Sequence, residues 1–289
     1  MDMRRNHIRE KKIICGDDYM AVCLYAITPQ ERITRRKKQK ESTERQKAKN
    51  KMHSLRKKQR KVIANFTKRG FFLTGTFEEV FLPDDIQACA REVKNYKRRV
   101  LAAAMKRFGI TTDKVRMMLW AVRKGENGRL HMHGFVECIG MNDADRREFR
   151  EMLEDLWRRR IPGTSEYESL GTMNADRIDM KKVLGTDGQG DNGTVGYIYI
   201  HKERVCIESK NLKIPVEQVP NDTKWSKKQL HNACDMRNDA YWWSQKFPGW
   251  KLEKCMVYDP GELHQSEKPR DDGWEITEPQ CYVILSRKQ

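Results

Sequence analysis

Residues 84–109 hold the pattern that most limits how this chain can fold. Ile86, Cys89, Ala90, Val93, Tyr96, Val100, Leu101, Ala104, Met105 and Phe108 recur at helical spacing, after Pro83 and Asp84 and before Gly109. An apolar stripe of that length has to be buried against another element. The opposite face carries Arg91, Lys94, Lys97, Arg98, Arg99 and Arg107. The flanking segments have strand character. "FFLTGTF" (71–77) is aromatic and β-branched and predicts a buried strand. "VRMMLWAV" (115–122) and "RLHMHGFVECI" (129–139) predict two more, and the turn chemistry of "KGENG" (124–128) makes them a hairpin.

A second amphipathic helix follows. Asn142 or Asp143 caps it, and Phe149, Met152, Leu153, Leu156 and Trp157 share one face. "MNADRIDM" (173–180) predicts a short strand, and the glycine-rich, polar "LGTDGQGDNGT" (184–194) a flexible loop. "VGYIYIHKERV" (195–205) is compatible with a short helix or a strand. The order strand, helix, strand, strand, helix predicts an α+β fold, an antiparallel sheet with helices packed on one face. At the N-terminal side, "IICGDDYMAVCLYAI" (13–27) predicts a strand pair or one strand with a turn at 16–18. Residues 224–246 predict helix, and "WKLEKCMVYD" and "PQCYVILS" predict strands that close against the first ones. Three regions are expected: 1–65, a strand segment and basic arm; 66–215, the central domain; and 216–289, a C-terminal helix and strands packing on it.

Charge narrows the function. Lysine and arginine number 58 against 41 acidic residues, a formal net charge of +17. Nucleic acid is the expected partner of such a surface. Residues 35–61 are nearly all basic and polar, with too few apolar positions to bury a face. They predict an exposed helix or a mobile arm that neutralises phosphates. None of the eight cysteines forms a CxxC pair, which argues against a zinc ribbon or a thioredoxin-like site. The opening "MDMRRNHIRE" has no secretory character, so a reducing cytoplasm is expected, and no apolar run approaches membrane-spanning length.

The chemistry centres on "GRLHMHGFVE" (128–137). On a strand, His131 and His133 point to the same side. Two neutral imidazoles there form a pair of ligands for a divalent transition ion, with a third ligand, a carboxylate or another histidine, expected from a neighbouring element. Downstream, "GYIYIHK" (196–202) places Tyr199 three residues before Lys202, and Tyr197 four before His201. On a helix either spacing puts the pair on one side. A phenol beside a cation and a metal has the parts of a phosphodiester nucleophile.

In their order, "FFLTGTF", "GRLHMHGFV" and "YIHK" resemble the three motifs of HUH endonucleases, in particular the rolling-circle replication initiators of plasmids and small or filamentous phages. The likeness spans roughly residues 70–215, and "ERVCIESKNLKIP" (203–215) resembles the segment that follows the tyrosine helix in such proteins. The resemblance implies an RRM-like sheet presenting His131 and His133 to Mg²⁺ or Mn²⁺. A tyrosine on a helix across that face would attack single-stranded origin DNA, hairpin DNA included, keep the 5′-phosphate and free a 3′-hydroxyl. It implies a host helicase or polymerase as partner, in the cytoplasm of a bacterial host, with no membrane. "YIHK" aligns with the family's "YITK", which favours Tyr199 as nucleophile, with Lys202 beside it and Tyr197 as the alternative. The family's usual glutamate ligand falls near Arg123, which cannot bind a metal; Glu126 is the nearest carboxylate and the expected substitute. Lys57 and Lys58 of the arm, Lys94 and Arg98 of the helix, and Arg129 beside the histidines are the expected DNA contacts. Relaxases and single-strand transposases share this chemistry. A nucleic-acid-binding protein without catalysis and a metal-dependent RNA nuclease are the competing readings.

Overall fold

The computed structural model describes residues 7–27, 44–123, 128–187, 192–258 and 278–288, with only the backbone course for 44–49. In chain order, β1 (His7–Cys15) and β2 (Tyr19–Ile27) form a hairpin around a turn at 16–18, and α1 spans Glu44–Ile63. Then come β3 (Phe71–Thr76), α2 (Ile86–Phe108), β4 (Val115–Arg123), β5 (Leu130–Cys138) and α3 (Asp143–Asp155). Short strands β6 (Arg158–Arg160), β7 (Tyr167–Ser169) and β8 (Met173–Arg177) precede α4 (Met180–Leu184), α5 (Gly193–Ile200) and β9 (Glu203–Glu208). The remainder is β10 (Val216–Glu217), β11 (Asn221–Trp225), α6 (Lys227–Asp235), α7 (Ala240–Lys246), β12 (Trp250–Tyr258) and β13 (Gln280–Arg287).

The fold is α+β, built on antiparallel sheets. The chain forms two compact units: residues 54–213, and residues 1–53 together with 214–289. Residues 216–289 therefore belong with the first strands, and residues 54–65 with the central unit.

The central unit has the sheet β8-β3-β5-β4-β9. β4 and β5 are the expected hairpin, with Trp120 opposite His133 and Val122 opposite His131. α2 and α3 cover one face. α2 starts where the Asp85 side chain accepts from the Ala88 N–H and ends where Gly109 turns left-handed at φ 64°. Its stripe, including Val93, Tyr96 and Val100, packs with Leu73, Leu119, Ala121 and Met132 of the sheet and with Phe149 and Leu153 of α3. Each such side chain contributes about 1.5–3 kcal/mol on full burial. Asn142 is the α3 cap, accepting from the Asp145 N–H. Trp157 sits below the same core, and its indole donates to the Thr76 carbonyl at 2.6 Å. Gly134 is required in this layer because a Cβ there would run into Leu119 of β4.

The basic segment departs from its expectation. Its residues 35–43 lie outside the described residues. From residue 54 onward it is a packed helix: Leu55, Gln59, Val62 and Ile63 are buried, and Lys58 and Lys61 both pair with Glu208 of β9. The stripe is narrow and one of its members is a glutamine. Two lysines are held by a carboxylate that lies far away in sequence.

In the other unit the sheet runs β10-β1-β2-β13-β12, with β11 also pairing β1. The segment 224–246 is two helices rather than one, α6 and α7, because the chain turns at Met236–Asp239. Ser226 caps α6 with a reciprocal capping box to Gln229. Trp225, Leu230, Trp243 and Phe247 bury against Val22, Leu24, Val283 and Leu285. Among the adjacent aromatics, Trp243 is buried and Tyr241 is exposed. Among the described residues, no helix is long and apolar enough to cross a membrane.

Candidate metal centre

The face of the central sheet opposite α2 and α3 carries His131 and His133. The register sets Thr74, His133, Trp120 and Cys206 in one row across β3, β5, β4 and β9, with Thr76, His131, Val122 and Arg204 in the next. Residues 195–205 resolve into α5, ending at Ile200, and then strand β9. α5 delivers His201 as its C-terminal cap residue, next to the strand histidines. Ring centroids are 4.8 Å apart for His131 and His133, 5.1 Å for His131 and His201, and 5.8 Å for His133 and His201. One nitrogen from each ring lies within 4.8 Å of the others.

The hydrogen bonds define the tautomers. His131 Nδ1 faces the Arg129 carbonyl at 2.9 Å, and His201 Nδ1 faces the carbonyls of Tyr197 and Ile198, each at 3.1 Å. A carbonyl only accepts, so both Nδ1 atoms carry hydrogen, and it is Nε2 that offers the lone pair in the neutral form of either ring. His133 Nδ1 is 3.2 Å from Thr74 Oγ1, and Phe72 stacks on the ring. The buried Nε2 atoms of His133 and His201 have no hydrogen-bond partner among the described residues. Burial, reinforced by the neighbouring His131 and His201, pushes the His133 pKa down to about 3. That ring is therefore neutral at physiological pH, as a metal ligand has to be. Orphaned nitrogens on His133 and His201, a neutral His133 ring and Nδ1–H groups anchored on carbonyls are what a three-imidazole divalent-ion site requires.

The two tyrosines are placed differently. Tyr197 is 47% exposed, with its ring 5.3 Å from His133 and 5.4 Å from His201. Tyr199 is 4% exposed; its hydroxyl is 3.2 Å from Ser54 Oγ, and the Arg204 guanidinium lies 4.2 Å over its ring. Arg204 also donates to the His201 carbonyl at 2.8 Å, which pins the end of α5. Lys202 is exposed and lies past the helix end, so helical spacing does not pair it with Tyr199.

The other expected site residues are spread out. Glu126 lies outside the described residues. Arg129 donates to the Phe77 carbonyl at 2.6 Å and pairs with Glu79 at 2.8 Å, while its own carbonyl holds His131. Lys94 and Arg98 are exposed on α2, across the sheet from the imidazoles. Lys57 is exposed on α1, whereas Lys58 is engaged by Glu208. Burial works against charge on Glu208, but hydrogen bonds from Lys58 and Lys61 outweigh it and hold the carboxyl at about 2.

His201 is the site residue that sequence reasoning left without a role as ligand. Its signal is the four-residue spacing from Tyr197, which carries meaning only if 196–200 is helical. No protein-family model, no curated protein and no solved structure matches this chain.

Proposed function

We propose that the central unit, residues 54–213, cuts and rejoins single-stranded DNA at a replication origin, with Tyr197 as the nucleophile and an ion held by His131, His133 and His201. The observation that carries this reading is the half-exposed Tyr197 ring lying against two of three clustered imidazoles. The net charge of +17 suits a polyanionic substrate, and the motif order resembles that of HUH replication initiators.

A divalent ion at the imidazoles supplies charge that draws the scissile phosphate and favours the ionised phenol. The protein's part is placement. Tyr197 Oη forms a bond to phosphorus as the bond from phosphorus to the 3′-oxygen breaks. The phenol loses its proton to solvent, and the leaving 3′-oxygen gains one. The product is a 5′-phosphotyrosine and a free 3′-hydroxyl. Return attack by a 3′-hydroxyl rejoins the strand, since one phosphodiester has been exchanged for another. Partial exposure lets Tyr197 meet a DNA backbone; the buried, hydrogen-bonded Tyr199 lacks that access.

The test is a covalent-adduct assay with Mn²⁺ on circular single-stranded DNA from the same genetic element. The expected result is protein attached to the 5′ side of the nick, lost in Tyr197→Phe and kept in Tyr199→Phe. Loss in Tyr199→Phe with full activity in Tyr197→Phe reverses the assignment. Salt-dependent binding without an adduct under any divalent ion supports a non-catalytic nucleic-acid-binding protein instead.

A further inference from the structure

We propose that the ion is a first-row transition metal rather than magnesium, and that it clamps the helix bearing Tyr197 onto the sheet. The inference rests on the reading of Tyr197 as the attacking group for its functional consequence, and on the imidazole geometry for everything else.

The donor set argues for the ion. Mg²⁺ takes oxygen ligands, keeps most of its waters and is usually held by carboxylates. Here the cluster is three imidazoles, and no carboxylate joins it among the described residues. Neutral imidazole suits zinc, copper, iron and nickel, and affinity for divalent first-row ions rises from manganese, the weakest, through cobalt and nickel to copper.

The topology argues for the clamp. Two ligands stand on β5, in the middle of the sheet, and the third ends α5. α5 is eight residues of sequence GTVGYIYI, with two glycines and a majority of β-branched or aromatic side chains. A helix so short and so composed has little stability of its own. Its ends are held from outside. At the start, Gly193 is left-handed at φ 58°, and a Cβ there would collide with the Val183 carbonyl of α4. At the far end, His201 Nδ1 donates to the carbonyls of Tyr197 and Ile198, and the His201 backbone N–H also donates to Ile198, so ring and backbone together close the last turn. The same ring leaves its Nε2 buried without a hydrogen-bond partner among the described residues, in a cluster where one nitrogen of each of the three rings lies within 4.8 Å of the others. Ligation of that nitrogen links sheet, ion, imidazole and the carbonyl of Tyr197 itself in one chain. Loading the ion therefore fixes the backbone position of the attacking residue.

The experiment uses full-length protein stripped with a chelator and titrated separately with Zn²⁺, Co²⁺, Mn²⁺ and Mg²⁺ by calorimetry, with hydrogen exchange of amides 193–200 measured with and without each ion. The expected result is tight binding of Zn²⁺ and Co²⁺, weaker binding of Mn²⁺ and the weakest binding of Mg²⁺. The transition ions should slow exchange across 193–200. His201→Ala should lose about 100-fold or more in Zn²⁺ affinity, and the ion-dependent protection with it. If that variant does not fold, the exchange measurement on the unaltered protein decides. Mg²⁺ binding as tight as Mn²⁺, or Zn²⁺ binding that leaves 193–200 exchange unchanged, overturns the proposal. Metal data as expected with no covalent adduct would sink the nuclease reading and leave the clamp standing; an adduct without protection would do the reverse.

Discussion

The Tyr199 hydroxyl lies 3.2 Å from Ser54 Oγ, joining α5 to α1. The contact gives Tyr199 a structural post, two residues from a tyrosine that faces the imidazoles. Tyr199→Phe removes one hydrogen bond and leaves the ring under Arg204. We expect a loss of about 0.5–1.5 kcal/mol in unfolding free energy, measured by urea denaturation. Unchanged stability would mean that the bond contributes nothing to holding α5.

Glu208 makes the central unit acid-sensitive. Its folded pKa of about 2 lies below the ordinary value of 4.5. A depressed carboxyl contributes stability that is complete above the unfolded pKa and is lost as pH falls through the folded one. The melting temperature should therefore decline between about pH 4.5 and pH 2. Glu208→Gln should flatten that part of the profile while lowering stability at neutral pH, since Lys58 and Lys61 lose their shared partner. A variant that retains the wild-type slope would remove Glu208 from the account.

Gly134 follows His133 on β5 and points to the opposite face of the sheet, against Leu119 of β4. Gly134→Ala places a methyl against Leu119 and should destabilise the unit by about 1–3 kcal/mol. Calorimetric unfolding at matched pH measures it. A neutral outcome would show that β4 can move away at no cost.

Lys94 and Arg98 stand on the far side of the sheet from the histidines. A strand lying over Tyr197 does not reach them. Replacing both with alanine should leave the salt dependence of binding to a short single-stranded oligonucleotide unchanged, as each lost phosphate contact would lower the slope by about 0.7. A shallower slope would place DNA on α2 as well.

Much of the central unit is legible in the sequence because its signals are local. The α2 stripe has a cap at one end and Gly109 at the other, and the β4–β5 hairpin has strand-like runs on both sides of a turn. His131 and His133 share a face because both lie on one strand. Three features needed the fold. Val195, Ile198 and Tyr199 fit a strand or a helix equally, and contacts at Gly193 and His201 decide for helix. Gln59 hides the buried stripe of α1, whose lysines answer to Glu208, about 150 residues away. His201 joins the histidine cluster only when the end of α5 is brought beside β5.

Within one unit, β2 lies beside β13 although the whole of residues 54–213 comes between them in sequence. In synthesis β13 therefore follows β2 only after the whole interposed unit has been made. The interposed unit is complete in sequence before β13 is made, so it is free to mature first, while the β1–β2 hairpin waits with an open edge until β13 emerges. Loop closure over such a span is slow, and an unpaired edge is an invitation to neighbouring chains. Synthesis thus has a vulnerable interval, whose length is set by how quickly β13 follows the hairpin it covers.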